Sequence, residues 1–448
     1  MNEILLTKTF HSTHYTNLHK VIIMKTRFIF ISILAIMTAA CAESEWEPAS
    51  QTDVSTSTHS VRQRTLDEAL AYADEWFAQM DEPTRSEGRR VGNVEYVRST
   101  TRTRAGDTDT LMYLVNYEDN RGFALLGRPA TSKAIYAISE EGSLDMSDTV
   151  YNKPLAMFMA SAREDAQISL PNSLTIPGTP PWDKLIHPRR LVRWVHPLLP
   201  ENVSKWSQEA PYNRDCPDVD GKKGLVGCGP LAVGMLMAYY QFPKKLDTLN
   251  LDWENIVKYN LTPTISLILN TLASKKYLDS QYTSWEDRST KAENIIIPFK
   301  FTGFGLGDIW NMTFFDYYNE EKKIDENHID ELMDFMEYGC APAKAAPVIL
   351  WGSSVKKSTE VKVLNHFWLT DGVIQYEEYE PDFPGFIPIK QDPAFHMVWG
   401  WGGKANGYYT YFRKKKVLGE IDPDESGLNG PVQFWQLLLF GKYIVFNN

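Results

Sequence analysis

An α+β fold is predicted, with a small mixed domain ahead of a larger one in which helices precede a sheet. Three observations carry this reading. Alternating strand-like runs, "LMYLVNYE", "GFALLGRP" and "AIYAISEEG" (111–142), follow a segment in which Leu66, Ala69, Leu70, Ala73, Trp76 and Phe77 recur at helical spacing. After residue 190, apolar helical stretches (228–340) come first and strand-like runs (346–446) second, which is not the alternating order of a βαβ chain. Between the two parts lies "SLPNSLTIPGTPPWDKLIHPRR" (169–190), with five prolines and no periodicity.

Taken in order, residues 1–41 read as a targeting segment. From Met24, basic Lys25 and Arg27 precede an apolar run, Phe28 to Met37, too short to span a bilayer, and then Thr38-Ala39-Ala40-Cys41. Small residues before a cysteine resemble the lipobox of bacterial lipoproteins. Cys41 is therefore the expected lipidation site. The expected location is exported, anchored to the outer membrane or cell surface of a Gram-negative bacterium, or otherwise secreted. Residues 42–62, rich in Ser, Thr and Glu, read as a tether. The small domain spans 63–168. It holds the first helix, a strand near Val94–Val97, three further strands joined by a hairpin turn at Asp119–Gly122, and a second helix from Pro154 to Ala166. A linker is assigned to 169–195 and the larger domain to 196–448. Its strands are expected at 346–352, 366–379, 394–403, 407–412 and 436–446.

Composition narrows the function. The 448 residues are 43 % hydrophobic and 23 % charged, as in ordinary globular proteins. A net charge of −11 with no basic stripe argues against nucleic-acid partners. Contact with a membrane is expected only through the lipid. Beyond Cys41 the cysteines are Cys216, Cys228 and Cys340, an odd number, so at least one free thiol or intermolecular bond is expected.

Cys228 stands in "GLVGCGPLAVGMLMAYYQFP" (224–243), between two glycines and ahead of Pro230. Proline suits the first turn of a helix. Free N–H groups at a helix start favour a thiolate. Gly227 and Gly229 permit close approach of backbone and substrate. The same residues are compatible with simple packing, or with a disulfide to Cys216 in an oxidising compartment. A zinc site lacks paired Cys-x-x-Cys spacing, and no metal is expected. For a base, His187 and His196 flank prolines and His328 lies in a charged stretch, which leaves His366 and His396. His366 opens an apolar run 138 residues after Cys228, a separation that papain-like enzymes use.

Cys228 in its glycine-rich helix start, His366 in "NHFWLTDG" and "HMVWGWGGKANGYY" (396–409) together resemble the streptopain family of papain-like cysteine peptidases. "LLPENVSKWSQEAPYNRDCP" (198–217) is similar to the segment leading into that family's catalytic domain. "YLVNYEDNRGFALLGRPATSKAIYAISEEGSLD" (113–145) resembles its propeptide, a small α+β domain that occludes the active site until removed. The resemblance implies a cysteine endopeptidase made as a self-inhibited zymogen, acting through a thiolate–imidazolium pair and an acyl-enzyme. It makes Cys228 the nucleophile and His366 the general base and acid. Gln208, with the Cys228 N–H, becomes the oxyanion donor, and Trp399, Trp401, Gly227 and Gly229 belong to the cleft. It implies no cofactor, protein or peptide substrates, and the protein's own propeptide as a partner. Asp371 is expected to anchor a turn with Gly372.

Three positions depart from the family pattern: Asn365 stands for glycine, Val398 for asparagine, and Gly234-Met235 for Ala-Gln. An asparagine at 398 would orient the imidazole, and loss of such a group slows these enzymes. The alternative expectation is therefore a catalytically weak or inactive surface homologue that binds peptide or protein in the former cleft.

Overall fold

Thr65 and Glu68 cap the first helix reciprocally. Thr65 Oγ1 accepts the Glu68 N–H at 3.2 Å, and the Glu68 carboxylate accepts the Thr65 N–H at 2.9 Å. The computed structural model describes residues 62–80, 88–99, 110–168, 189–301, 326–338, 345–355, 364–378, 389–410 and 432–436. They fall in one compact unit, His59–Asn448. The targeting segment with Cys41, the tether, Cys340 and the strand expected beyond 436 lie outside the described residues.

Helix α1 (Leu66–Met80) buries Ala69, Ala73, Trp76, Phe77 and Met80 on an antiparallel meander of β1 (Val91–Arg98), β2 (Thr110–Tyr117), β3 (Phe123–Gly127) and β4 (Ile135–Ser139). Strands β3 and β4 are buried along their whole length. The reason is that both sheet faces are covered. Tyr113, Val115, Ala124 and Leu126 pack with α1, whereas Met112, Leu114, Phe123 and Leu125 pack with Leu155, Phe158 and Ala162 of α2 (Lys153–Ile168). The runs that the sequence reading takes as alternating are therefore buried on both faces in β3 and β4.

The sheet does not stop at the small domain. β4 pairs with β11 (Gly407–Thr410), Tyr408 opposite Ile138 and Tyr409 opposite Ala137. It continues through β10 (Ala394–Val398), β9 (Leu364–Glu378), β8 (Val348–Val355) and β12 (Val432–Gln436), all antiparallel, within one eleven-stranded sheet. Strand β9 is long enough to hold two partners along one edge: β8 beside 364–370 and β5 (Arg189–Val195) beside 373–378. Residues 189–195, assigned by sequence to the linker, are thus a sheet strand. "RRLVRWV" needs the partner edge of β9, some 180 residues away, to become one.

Helix α3 (Cys228–Tyr240) packs against the start of β9, and its residues 228–238 are all buried. A single apolar stripe would suit a surface helix, but this one is apolar nearly all round and lies inside the core. Gly234 makes room there for α4 (Thr262–Leu272): a Cβ on Gly234 would stand 2.5 Å from a Leu269 methyl. Helix α5 (Glu326–Tyr338) lies on β9, where Arg193 of β5 pairs with Asp334 and Glu337.

Candidate active site

Cys228 is the first residue of α3, preceded by Gly227 at φ 92°, a left-handed conformation that favours glycine. The wall opposite is a hairpin of β6 (Gln281–Ser284) and β7 (Asp287–Ser289). It closes tightly on the cysteine's neighbours. A Cβ on Gly227 would stand 3.0 Å from the Arg288 carbonyl, and one on Gly229 2.6 Å from Thr290 Oγ1. Both glycines are therefore fixed by contact as well as by conformation.

His366 lies near the start of β9, opposite Gly352 of β8. The thiol of Cys228 receives the backbone N–H of Phe367, the residue after His366, so the start of α3 meets the start of β9. Both side chains are buried, with Cys228 8 % and His366 6 % exposed. Burial is the largest influence on each. It pushes the Cys228 thiol up to about 11, against the weaker pull of the Phe367 N–H, the Lys153 ammonium and the Gly229 N–H. It drives His366 down to about 3, aided by Lys153 and opposed by Asp287. A thiolate–imidazolium pair needs the thiol to be the stronger acid. Here the order is reversed and both groups are held neutral.

His366 Nε2 is buried with no hydrogen-bond partner among the described residues. Val398, where the family pattern has asparagine, is fully buried in the same apolar cluster as Cys228 and Phe367 and offers no polar atom.

The remaining residues singled out by sequence are placed as follows. Gln208 is buried. Its N–H donates to the Gly400 carbonyl at 3.3 Å, and its carbonyl accepts from Val226 at 3.0 Å, which ties the segment to both the Trp399–Trp401 loop and the approach to Cys228. Trp399 is fully buried. Its Nε1 donates to the Ala405 carbonyl at 2.9 Å, and its ring sits 5.0 Å from Tyr409 and 5.8 Å from Trp368. Trp401 bridges to Ser207 and meets the ring of Tyr151 at 5.1 Å.

His396, the rival base, is committed elsewhere. The carboxylate of the fully buried Asp371 accepts from His396 Nδ1 at 2.6 Å and from the Leu199 N–H at 3.0 Å. Asp371 lies inside β9 at a register shift rather than in a turn, where this carboxylate fastens the start of the larger domain to the sheet. Cys216 and Cys228 are both free, which removes the disulfide alternative. Arg288 Nη1 reaches Cys216 Sγ at 3.8 Å.

Sequence reasoning missed the residues that the small domain brings to the cleft. Tyr151 stands against Trp401. Lys153, the first residue of α2, lies 3.7 Å from Asp287 on β7. Each reads alone as a surface residue, and only the resemblance of 113–145 to a propeptide hinted that this region covers the site. Among the described residues no cluster of three or more His, Cys, Asp or Glu side chains is placed to hold a metal.

A buried cysteine at a helix start, a histidine near the start of the strand it meets, and a preceding small domain that touches Trp401 and Asp287 form the arrangement the resemblance implied. Residues 206–409 match the model of the peptidase C10 family, and residues 58–166 match that of the Spi protease inhibitor. Residues 206–409 thus carry the domain of the peptidase C10 family, the streptopain family of cysteine peptidases, with an inhibitor-type domain ahead of it. Solved structures similar to it include a prointerpain A fragment of Prevotella intermedia, at 15 % identity over 72 % of this chain and 91 % of that one, with a TM-score of 0.46. Active wild-type interpain A from the same organism is 19 % identical over 50 % of this chain and 90 % of that one, with a TM-score of 0.34. No curated protein matches.

Proposed function

We propose that this chain is a cysteine endopeptidase exported as a self-inhibited zymogen, with Cys228 as nucleophile and His366 as base and then acid. The observation that carries the reading is the Phe367 N–H on the Cys228 thiol, which puts the first turn of α3 beside the imidazole-bearing end of β9. In the zymogen, burial holds thiol and imidazole neutral. Removal of the inhibitor domain admits water, lowers the thiol's pKa and raises the imidazole's, and lets the proton pass from sulfur to ring. The thiolate then attacks a peptide carbonyl. His366 returns the proton to the leaving amine, and water hydrolyses the acyl-enzyme. Gln208 and the Cys228 N–H stabilise the oxyanion, where one such donor contributes roughly 3 kcal/mol. Cys41 carries the lipid that retains the protein at the cell surface.

The test is self-processing between residues 169 and 188 in purified, reduced protein, together with labelling by an epoxide thiol inhibitor. Both should be lost in Cys228→Ala. Maturation of that variant at the normal rate would reject the reading.

A second reading, a weak or inactive homologue that binds peptides in the cleft, is favoured by the unpartnered His366 Nε2 and the apolar Val398. Failure of the reduced wild-type protein to self-process or label after its inhibitor domain is removed would select it.

A further inference from the structure

Asp287 is held in the wall beside Cys228 with one carboxylate oxygen already oriented. Thr283 Oγ1 donates to Oδ2 at 2.7 Å, across the β6–β7 hairpin. The other oxygen, Oδ1, faces the Lys153 ammonium of the inhibitor domain at 3.7 Å. The neighbouring cation does not serve it. Arg288 turns inward, over the Tyr282 ring at 4.6 Å and toward Cys216 Sγ and the Val226 carbonyl. The side chain of Asp287 is 43 % exposed, so it stays accessible at the cleft rim. Both Lys153 and Asp287 are within electrostatic reach of Cys228 and of His366. Two residues before Lys153, Tyr151 lies against Trp401 on another part of the cleft. The segment 151–153 therefore carries an aromatic and a basic side chain along the groove, each seated on a peptidase residue.

When the inhibitor domain leaves, Lys153 goes with it, and Asp287 Oδ1 loses this cation while Thr283 still fixes the carboxylate. We propose that Asp287 is the specificity determinant of a subsite for a lysine or arginine side chain of the peptide substrate, and that Lys153 occupies this subsite in the zymogen. The inference rests on the peptidase reading and names the substrate class of that site: peptides carrying a basic residue close to the scissile bond.

Two measurements separate the inference from the reading beneath it. In the first, self-processed wild-type, Asp287→Asn and Asp287→Lys proteins are given peptides that differ only in carrying Lys, norleucine or Glu, scanned through each position around the cleavage point. A half-exposed ion pair supports a preference of about two- to fivefold. The ratio of kcat/KM for Lys over norleucine should reach that range at one position in wild type and fall to about one in Asp287→Asn. Asp287→Lys should favour Glu. An unchanged ranking in Asp287→Lys overturns the proposal.

The second measurement needs no catalysis. The full chain carrying Lys153→Ala and Cys228→Ala is titrated with Nα-acetyl-lysine N-methylamide and its norleucine counterpart, with and without Asp287→Asn. Tighter binding of the lysine compound, abolished by Asp287→Asn, supports the subsite. Equal binding of the two compounds overturns it. Absence of cleavage together with lysine-selective binding would reject the peptidase reading and leave the subsite standing. Cleavage with no basic preference would do the reverse.

Discussion

Alkylation of Cys228 in the intact chain, followed as a function of pH, probes the zymogen's off state directly. With the thiol pushed up to about 11, about one sulfur in a thousand is ionised at pH 8. An unperturbed thiol near 8.5 is about one-quarter ionised at that pH. The thiolate is the reacting species, so Cys228 should react with iodoacetamide about 200-fold more slowly than a free cysteine, before any further slowing by limited access. The rate should rise tenfold for each pH step up to an inflection near 11. Mass spectrometry of the Cys228 peptide reads the rate, with the Cys216 peptide, a second buried thiol, followed in the same digest. Removal of the inhibitor domain should bring the inflection down by several pH steps. An inflection below pH 8 in the intact chain would mean that the ion pair already exists there, and that burial is not what silences it.

Further outcomes follow from the same site. His366 is neutral in the fold down to about pH 3, whereas the unfolded histidine protonates near 6.5. The unfolded state thus binds the extra proton in that window, and stability is lost as pH falls from about 6.5 toward 3, by roughly 5 kcal/mol at most. Chemical denaturation at a series of pH values should show this slope, and His366→Gln should flatten it. Val398→Asn places an amide where the family pattern has one. It should raise processing or peptide hydrolysis about tenfold or more by giving Nε2 a partner, at a stability cost of about 1–3 kcal/mol for a polar group in an apolar cluster. Unchanged kinetics in a folded Val398→Asn protein would show that Nε2 orientation is not limiting.

Much of this fold is legible in the sequence because it rests on local signals. The apolar recurrence from Leu66 to Phe77 gives α1, and the runs at 111–142 give strands β2 to β4 to within three residues. Gly-Cys-Gly-Pro marks the start of α3. What is not legible depends on distant partners. Strand β5 follows a proline-rich run and takes its pairing from β9, so its local pattern is that of a linker. The join of β4 to β11 links residues about 270 apart and leaves no local trace. The choice between His366 and His396 turns on register, since Asp371 faces His396 across β9 and β10 and fixes it there. Lys153 and Asp287 carry no motif; each is a lone charge until the inhibitor domain is laid on the cleft.

The most direct measurement uses 1,3-dibromoacetone, a short reagent that alkylates a thiol and then a nearby ring nitrogen, on reduced protein freed of its inhibitor domain. Sequencing should recover one bridged species in which the peptide holding Cys228 is tied to the peptide holding His366. A bridge to His396 instead, or a Cys228 adduct whose second arm never finds a histidine, would contradict the placement of nucleophile and base on which this account stands.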